Sequence, residues 1–545
     1  MKLKYSIILF LVSFAVCSNS ISAQNEGVLS GDLQLNTRFF ESDSVRDATN
    51  TPFYDYLKYG ADAWFNLNYQ VGDFNMGLRF DVFNNSNIFN PTREVNELGL
   101  GFWYINKKID KLDLTAGYFY EQFGSGIVFR AYEARPLGID QSIQGIRLKY
   151  ALNDKWRITG FTGRQRNLFE TYKPVIKGAK IEGYIKASDK IKLSPGLGVI
   201  NRTIDTETMN NIAQEINGYA LENRFVPKYN VYAGTFYNTL YAGKFSWYTE
   251  YAYKTEDSVR DMDGLLINPK SGNVIYNTLT YSQKGFGITV QYKHTENFDL
   301  RVHPNAIGNF GTINFLPPMT RANSYRLMSR YNAATQLLGE NALQMNLTYT
   351  PKKGLTFTGN YSNITNLDND LLFREFYLDA EIKPKDRKKK WRIISGLQLV
   401  DYNQTAFEGP KPDRPDFVRT FSPFFEYNYK FTRRKSMRFE LQYMLTERNR
   451  VLFGDDTPEK KQDLGDWVWA LAEYNIVPKW SFSAGSMYNI HDKLFFPTFL
   501  IARTQKATRF ALNYAKQPAG IICTGGICRF EPAFSGLKLD VTTKF

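Results

Sequence analysis

The chain has 545 residues, a formal net charge of +14 and an aromatic content of 16%, with tyrosine and phenylalanine dominating. This composition is rich in strand formers, and the negative mean hydropathy does not exclude a membrane barrel, because the strands of such a barrel are half polar. The three histidines, His294, His303 and His491, are scattered without metal-site spacing, so metal or histidine-based catalysis has little support.

The start of the chain has the features of a secretory signal. Met1–Ala23 combines a lysine-containing start, the apolar run Ile7–Val16 and a small-residue cleavage site. Cys17 offers a lipoprotein alternative, but the bulky Val16 directly before it argues against lipidation. No other run of about 18 apolar residues follows, so we expect no transmembrane helix. We interpret residues 24–545 as the exported domain.

The first strand is predicted near Val28, and apolar and polar residues alternate from there to the end of the chain. This start leaves no room for the N-terminal plug domain of an energised outer-membrane transporter, so we expect none. In Asp62–Val71 and in 74–82, aromatic and aliphatic side chains alternate with amides and charges. The same alternation recurs in Phe286–Tyr292, Phe376–Ile382, Phe425–Phe431 and Met437–Tyr443.

The connections between these strands alternate in length. The short turns are Gly72-Asp73, Lys107–Lys111, Asn153–Lys155, Asp189-Lys190, Gly243-Lys244, Lys284-Gly285, Lys352–Gly354, Lys385–Lys390, Arg433–Lys435, Pro478-Lys479 and Lys506–Thr508. The longer segments, rich in Pro, Gly and Asn, include Ser44–Pro52, Thr203–Lys228, Glu256–Gly272, Asp299–Glu340 and Thr405–Asp416. Short turns on one side and long loops on the other are typical of transmembrane barrels, whose long loops face outward.

The predicted fold is therefore all-β: a single antiparallel transmembrane β-barrel of about 24 strands, within about 22–26, with short periplasmic turns and long extracellular loops. Its predicted location is the cell outer membrane. The short turns are rich in lysine and arginine. They either are solvated turns or form a basic periplasmic rim that meets lipid headgroups or an acidic partner.

Leu114–Gln144 interrupts the alternation. Gly124 and Gly126 permit a bend, and charges then follow in an otherwise apolar stretch at Arg130, Glu133, Arg135 and Asp140. A loop folded back into the lumen would need such charges, bonded to each other or to the barrel wall. The alternative is an ordinary surface loop.

The longest connection, Asp299–Glu340, carries too many apolar side chains for a freely solvated loop: Phe310, Ile313, Phe315, Leu316 and Met319. We interpret it as a second inward constriction or as a surface for another protein. Arg321, Arg326 and Arg330 could line a passage for anions, although arginines on loops are often simply solvated. A barrel of this size left open would leak large solutes, so its own loops or a partner must fill it.

Near the C-terminus, Cys523 and Cys528 flank Gly525-Gly526 in the last loop, and we predict a structural disulfide between them. The final stretch Ser535–Phe545 alternates strictly and ends on an aromatic residue. It resembles the closing strand of bacterial outer-membrane β-barrels, and this resemblance implies that Phe545 belongs to the signal that the insertion machinery reads.

The runs C-T-G-G-I-C-R-F-E-P-A-F-S-G and Q-F-G-S-G-I-V-F-R resemble a Bacteroidota outer-membrane β-barrel family of unassigned function. The resemblance implies location and fold and leaves function open. We expect a non-enzymatic, porin-like pore or channel, partly closed by its own long loops. The alternative is the barrel subunit of an outer-membrane protein assembly or export complex.

The expected partners are outer-membrane lipid, the outer-membrane insertion machinery and other envelope proteins. We expect no cofactor, no metal, no catalytic residues and no nucleic acid. A membrane-embedded hydrolase is the least favoured alternative, since His294 and His491 lie near predicted strands without a recognisable nucleophile.

Overall fold

The computed structural model describes residues 27–261, 264–306, 308–384, 390–409, 416–446, 465–524 and 527–545. Twenty-four antiparallel strands form one closed barrel, which confirms the predicted fold and strand number. The first twelve strands are β1 (Val28–Phe40), β2 (Tyr59–Val71), β3 (Phe74–Ser86), β4 (Val95–Ile109), β5 (Leu112–Phe119), β6 (Ile143–Asn153), β7 (Trp156–Asn167), β8 (Val175–Gly183), β9 (Ile191–Thr203), β10 (Asn230–Ala242), β11 (Phe245–Arg260) and β12 (Leu266–Gln283). The other twelve are β13 (Phe286–Glu296), β14 (Gly339–Lys352), β15 (Leu355–Thr365), β16 (Leu371–Ile382), β17 (Trp391–Asn403), β18 (Phe417–Lys430), β19 (Lys435–Thr446), β20 (Trp467–Ile476), β21 (Trp480–Asn489), β22 (Leu494–Gln505), β23 (Thr508–Gln517) and β24 (Phe534–Lys544).

The barrel closes where the last strand meets the first. β24 pairs with β23 on one side and with β1 on the other, in a register that sets Arg38 opposite Lys538. At the end of this junction Phe545 exchanges two backbone hydrogen bonds of 3.0 Å with Gly31, and its ring stacks on Phe65 at 6.1 Å. The wall therefore has no free edge, as a bilayer requires. The role of Phe545 in insertion stays a prediction.

Side chains on the strands alternate between an apolar exterior and a polar lumen. On β3, Leu78 and Phe80 expose 45% and 44% of their surface, whereas Arg79 and Asp81 expose 3% and 0%. Exposed outward aromatics lie near both ends of the wall, at Phe39, Tyr232, Tyr253 and Phe495 at one end and at Phe74, Phe245, Tyr349 and Phe510 at the other. Such a surface is stable only in a bilayer with an aromatic girdle at each interface. The protein is an outer-membrane barrel, as predicted.

The two ends of the barrel differ in their connections. Each even-numbered strand from β2 to β22, except β16, is joined to the next by a described short turn, and each of these turns lies where the sequence predicted it. The longer connections follow the odd-numbered strands. One predicted long segment is wrong: in Glu256–Gly272, β11 continues to Arg260 and β12 begins at Leu266. The two strands of this hairpin extend beyond the part of the wall that spans the bilayer. Their outer face needs no apolar side chains there, so the sequence has the composition of a loop.

Two α-helices lie in the described parts of the long connections. α1 (Thr206–Asn217) begins after Asp205, whose carboxylate accepts a hydrogen bond from the Thr208 amide at 3.0 Å, and it buries Met209, Ile212 and Ile216. α2 (Gln404–Glu408) is one short turn. In the described ranges, no helix has the length and the apolar character needed to cross a membrane.

Some predictions fall outside the described residues. These are the signal Met1–Ala23, residues 385–389 of the turn Lys385–Lys390 and residues 410–415 of the segment Thr405–Asp416.

Leu347 and Thr348, neighbours in the periplasmic half of β14, test the assigned faces because they point to opposite sides of the wall. Leu347→Arg places a charge in lipid between the midplane and the interface and should lower the free energy of unfolding by about 1–2 kcal/mol. Thr348→Arg reaches lumen water and should change it by about 0.5 kcal/mol or less. Urea unfolding in lipid vesicles measures both variants. Equal losses would contradict the orientation of β14.

Candidate functional site

Two long connections enter the lumen, and we name them the short strap (residues 120–142) and the long strap (residues 297–338). The short strap passes close to the inner wall at Phe123, whose ring packs on β8 and β9. A side chain at Gly198 would bring its Cβ within 2.8 Å of the Phe123 ring. Glycine at this wall position therefore makes room for the strap, a requirement for small size that the strand alone does not show.

The tip of the short strap is fixed to the wall by Glu250. The Glu250 carboxylate on β11 is fully buried. It accepts hydrogen bonds from the Ser125 amide (2.9 Å), the Ser125 hydroxyl (2.6 Å) and the Thr235 hydroxyl (2.8 Å), and also from the Tyr248 hydroxyl. Gly124 beside it adopts a left-handed backbone with φ of 50°. A buried carboxylate that accepts this many bonds makes a strong local anchor.

An ion-pair network connects the short strap to β3 and β7. Arg79 on β3 pairs with Asp81 (2.7 Å), Glu133 (2.7 Å) and Asp140 (2.8 Å). Arg166 on β7 pairs with the same Asp81 at 2.6 Å and with Asp140. Burying these charges costs less because each cation meets carboxylates on both sides.

The structure brings three of the four predicted short-strap charges together. Arg135 donates to Glu133 at 2.9 Å and points toward Gln34 on β1. Glu133 and Asp140 share Arg79, as described above. The short strap therefore lies against the inner wall with three of its charges paired, and its role as a constriction stays a prediction.

Arg130 does not join this network. Its guanidinium lies over the rings of Tyr132 (4.3 Å) and Phe315 (4.1 Å), and its amide donates to the Ile313 carbonyl. Burial lowers the pKa of Arg130 from its ordinary value. Its place is the contact between the two straps, where a cation over aromatic faces is stabilised without a carboxylate.

A carboxylate at the start of the short strap is held ionised. Burial alone would raise the pKa of Glu121, but Lys180 and Lys149 outweigh burial and hold the pKa below its ordinary value. Lys180 lies 3.2 Å and Lys149 2.9 Å from the carboxylate. These wall lysines bind the strap from below.

The long strap is anchored by a buried ion pair at its C-terminal end. Lys293 on β13 and Glu340 on β14 lie 2.8 Å apart, and both side chains are fully buried. Lys293 also donates to the Thr335 hydroxyl at 3.2 Å and to the Pro317 carbonyl. Glu340 accepts from the Gln336 amide at 2.7 Å. The pair thus holds two separate parts of the strap against the wall.

The long strap then crosses to the opposite wall. The Leu327 amide donates to Gln442 on β19 at 2.8 Å, and Gln398 on β17 donates to the Met328 carbonyl. The predicted Arg321 lies over the Tyr377 ring at 3.3 Å and donates to Asn323 at 3.1 Å. Its cationic group is therefore engaged with the β16 wall.

Arg326 and Arg330 lie further along the long strap. Arg330 packs over the Trp467 ring at 4.6 Å. Burial and the neighbouring Arg330 lower the pKa of Arg326 from its ordinary value. Within the described chain, Arg326 makes no ion pair. It therefore carries a charge that no carboxylate balances, next to the like charge of Arg330.

The straps and the wall share one apolar core. Its strap members are Phe123, Ile127, Val128, Phe129, Ala131, Phe298, Leu300, Val302, Ala306, Ile313, Leu316, Met319, Leu327, Tyr331 and Ala333. Its wall members come from β5–β12 and β14–β22. None of its described members lies on β1–β4, β23 or β24. We call the inner wall of β23, β24 and β1 the polar sector, because its half-buried inward side chains include Asp32, Gln34, Asn36, Arg38, Asn513, Gln517, Lys538 and Asp540.

The wall partners of the straps escaped the sequence analysis. Arg79, Asp81, Arg166 and Glu250 sit at inward positions, where a polar side chain is expected whether or not a loop touches it. The alternation therefore carries no signal that separates strap contacts from water contacts.

The predicted disulfide lies at the extracellular rim. The hairpin Gly520–Thr524 and Ile527–Glu531 sets Cys523 opposite Cys528 in register. Their side chains are outside the described residues, so the disulfide stays a prediction. Among the described side chains, no group of three His, Cys, Asp or Glu could hold a metal ion.

Comparisons with known proteins give a family and an architecture. A family described as "Family of unknown function (DUF6029)" matches residues 1–545. No curated protein matches the chain. The family description names no organism, so the Bacteroidota origin stays a prediction.

Several solved structures are similar over most of their length. OccK8 (OprE) of Pseudomonas aeruginosa has 10% identity and a TM-score of 0.39, covering 95% of this chain and 98% of that one. The P pilus usher (PapC) translocation pore has 8% identity and a TM-score of 0.39, covering 95% and 99%. The siderophore receptor PirA of Pseudomonas aeruginosa has 9% identity and a TM-score of 0.39, covering 96% and 81%.

Glu250→Gln tests the short-strap anchor. The amide replaces one acceptor oxygen by a donor that meets other donors, so the free energy of unfolding should fall by about 1–3 kcal/mol. The strap should also become accessible to trypsin at Arg130 and Arg135. The matched control is Glu256→Gln, whose exposed carboxylate lies 3.8 Å from Lys228 and should contribute little. Unchanged trypsin resistance in Glu250→Gln would show that the tip is held by packing alone.

Proposed function

The protein belongs to the DUF6029 family of unknown function, and we propose that it is a non-enzymatic outer-membrane channel whose own straps narrow the lumen to a route along the polar sector. One observation carries this proposal: the apolar core of the straps reaches β5–β12 and β14–β22, whereas among the described residues β23, β24 and β1 meet only a separate small apolar cluster at their extracellular ends, with Phe40, Ala515 and Phe534. This observation supports a constricted pore whose passage runs along β23, β24 and β1.

The size of the barrel makes the constriction necessary. Barrels of about 16–18 strands already hold an aqueous channel, and this wall has 24 strands. A polar solute that crossed the apolar core would lose its hydrogen bonds to water without replacement, at a cost of several kcal/mol. Along the polar sector, Gln34, Asn36 and Asn513 can replace those bonds.

Replacing Phe310–Arg330 by a short Gly-Ser linker tests the channel. This change removes the strap segment that crosses the lumen, so single-channel conductance in planar bilayers should rise several-fold over that of the unmodified chain.

The control replaces α1 by the same kind of linker. α1 packs in a separate cluster with Ile204 and Leu266, so its loss should leave conductance unchanged. Heat-modifiability on gels confirms that each variant is a folded barrel. A folded strap-deleted barrel that conducts no better than the unmodified chain would refute the constricted pore.

A basic periplasmic rim supports a second candidate function, the barrel subunit of an envelope complex. Its described cations include Lys111, Lys155, Lys190, Lys244, Lys284, Lys353, Lys383, Lys390, Arg433, Arg434, Lys479 and Lys506. Among the described residues, the acidic side chains on the same turns are Asp73, Asp110, Asp154 and Asp189. A ring with this excess of one sign attracts an acidic partner from the periplasm.

Arg433→Glu with Arg434→Glu tests the rim, because these neighbours lie at one turn tip. The barrel in neutral lipid nanodiscs should bind polyglutamate, with an affinity that falls as salt rises. The double variant should bind about tenfold more weakly, roughly 1.4 kcal/mol. Lys173→Glu with Lys493→Glu, on the extracellular side, is the control. Equal binding by both double variants would remove the support for a docking rim.

A further inference from the structure

A small cavity lies beside the junction of β1 and β24, at its extracellular end. Its volume is about 50 Å³, and three cations, Arg38, Arg529 and Lys538, line it together with one carboxylate, Glu531. A single water needs only about 10–15 Å³ on this measure. The cavity therefore has room for several waters or for one small polyatomic ion.

The three cations are only partly neutralised by the protein. Arg38 donates to Asp62 and to Asn87, each at 2.9 Å. Arg529 pairs with Glu531 and donates to the Ile88 carbonyl at 2.9 Å. Each arginine thus has one carboxylate partner of its own.

Lys538 is the exception. Its ammonium donates to the Gln517 amide oxygen at 3.3 Å and lies over the Phe534 ring at 4.2 Å. Among the described carboxylates, none lies within ion-pair distance of Lys538. Glu531 and Asp540 attract the Lys538 ammonium from beyond that distance. An ammonium carries three donors, so Lys538 keeps donors for a further acceptor.

Two other features increase the demand for an acceptor and for negative charge. Thr51 lines the same cavity, and its hydroxyl oxygen is buried without a hydrogen-bond partner. Arg326 on the long strap lies close enough to Lys538 to repel it electrostatically. Buried polar groups in native proteins are nearly always paired, so an unpaired hydroxyl beside an uncompensated cation indicates a missing partner.

We propose that this cavity binds the oxyanion group of a small solute, a carboxylate, phosphate or sulfate, held by Lys538, Arg38, Arg529 and the Thr51 hydroxyl. Arginine forks match the planar oxygens of such groups. This inference rests on the proposed channel function and specifies the solute that the channel would select. The cavity borders the polar sector, so an oxyanion bound there would enter the passage along that sector. Cations would be repelled at the same place.

The test uses inorganic phosphate as the probe. Titration calorimetry measures its binding to the full chain in neutral detergent. Lys538→Gln keeps the length and polarity of the side chain but removes its charge. We expect it to weaken phosphate binding by about tenfold, the loss of one charge-assisted hydrogen bond. Lys544→Gln is the control, since it removes a lysine from the periplasmic end of the same strand. Lys544→Gln should bind phosphate as the unmodified chain does.

The source of the oxyanion is decided by mass spectrometry of the protein extracted from membranes in mild detergent. A phosphorylated lipid retained by the unmodified chain and lost from Lys538→Gln identifies a lipid headgroup. Phosphate binding without a retained lipid identifies a free solute. Absence of both, or equal binding by Lys538→Gln and Lys544→Gln, would overturn the site.

A current measurement separates this inference from the channel proposal. In a KCl gradient, Lys538→Gln should shift the reversal potential toward cation permeation, and Lys544→Gln should not. If neither the unmodified chain nor the strap-deleted barrel conducts while phosphate still binds through Lys538, the channel fails and the oxyanion site stands. If current flows but neither phosphate binding nor the reversal potential responds to Lys538→Gln, the site fails and the channel stands.

Discussion

The whole molecule depends on one constraint: inside a bilayer no backbone amide or carbonyl can be left without a hydrogen bond. The chain meets it by pairing β24 with β1, and the register across that junction is continuous from Phe40 to Asp32. Closure of this many strands produces a second problem, because the wall encloses a lumen too wide to be left open. The straps occupy part of this lumen. The need for them therefore follows from the closure of the wall.

Inside the barrel, strap and wall side chains pack into an apolar core like that of a soluble protein. Strand side chains such as Ala252 and Val274 are fully buried under strap residues, although they occupy positions where lumen water would otherwise lie. Hydrophobic burial then holds the straps, and the anchors Glu250 and Lys293–Glu340 fix where they sit. Such anchors contribute little net stability, but breaking one leaves an uncompensated group, which is why they specify a single strap position.

The wall was predictable from the sequence, whereas the strap contacts were not. The turns at Gly72-Asp73 and Gly243-Lys244 and the closing strand follow from a period of two that each segment carries by itself. The inward fold of the short strap also had a local signal, since Glu133 and Asp140 lie among apolar neighbours. Their partner Arg79 had none, because it shares its polar face with residues that meet water. The partner of Arg130 could not be predicted for a related reason. Its guanidinium packs on two aromatic rings, one of them from the other strap, instead of on the expected carboxylate.

The distribution of charge inside the lumen gives the polar sector its character. Where a strap meets the wall, several cations have a carboxylate counterpart: Arg79 meets three carboxylates, and Lys293 meets Glu340. The buried Lys254 instead donates to the Asp299 carbonyl of the long strap. At the β1–β24 junction this balance is missing, since Lys538 and Arg326 have no ion pair among the described residues. Uncompensated cations repel one another and cost stability, so the fold retains Lys538 and Arg326 here at a cost. An oxyanion from outside the chain removes that repulsion, and it does so on the one side of the lumen that the apolar core leaves uncovered.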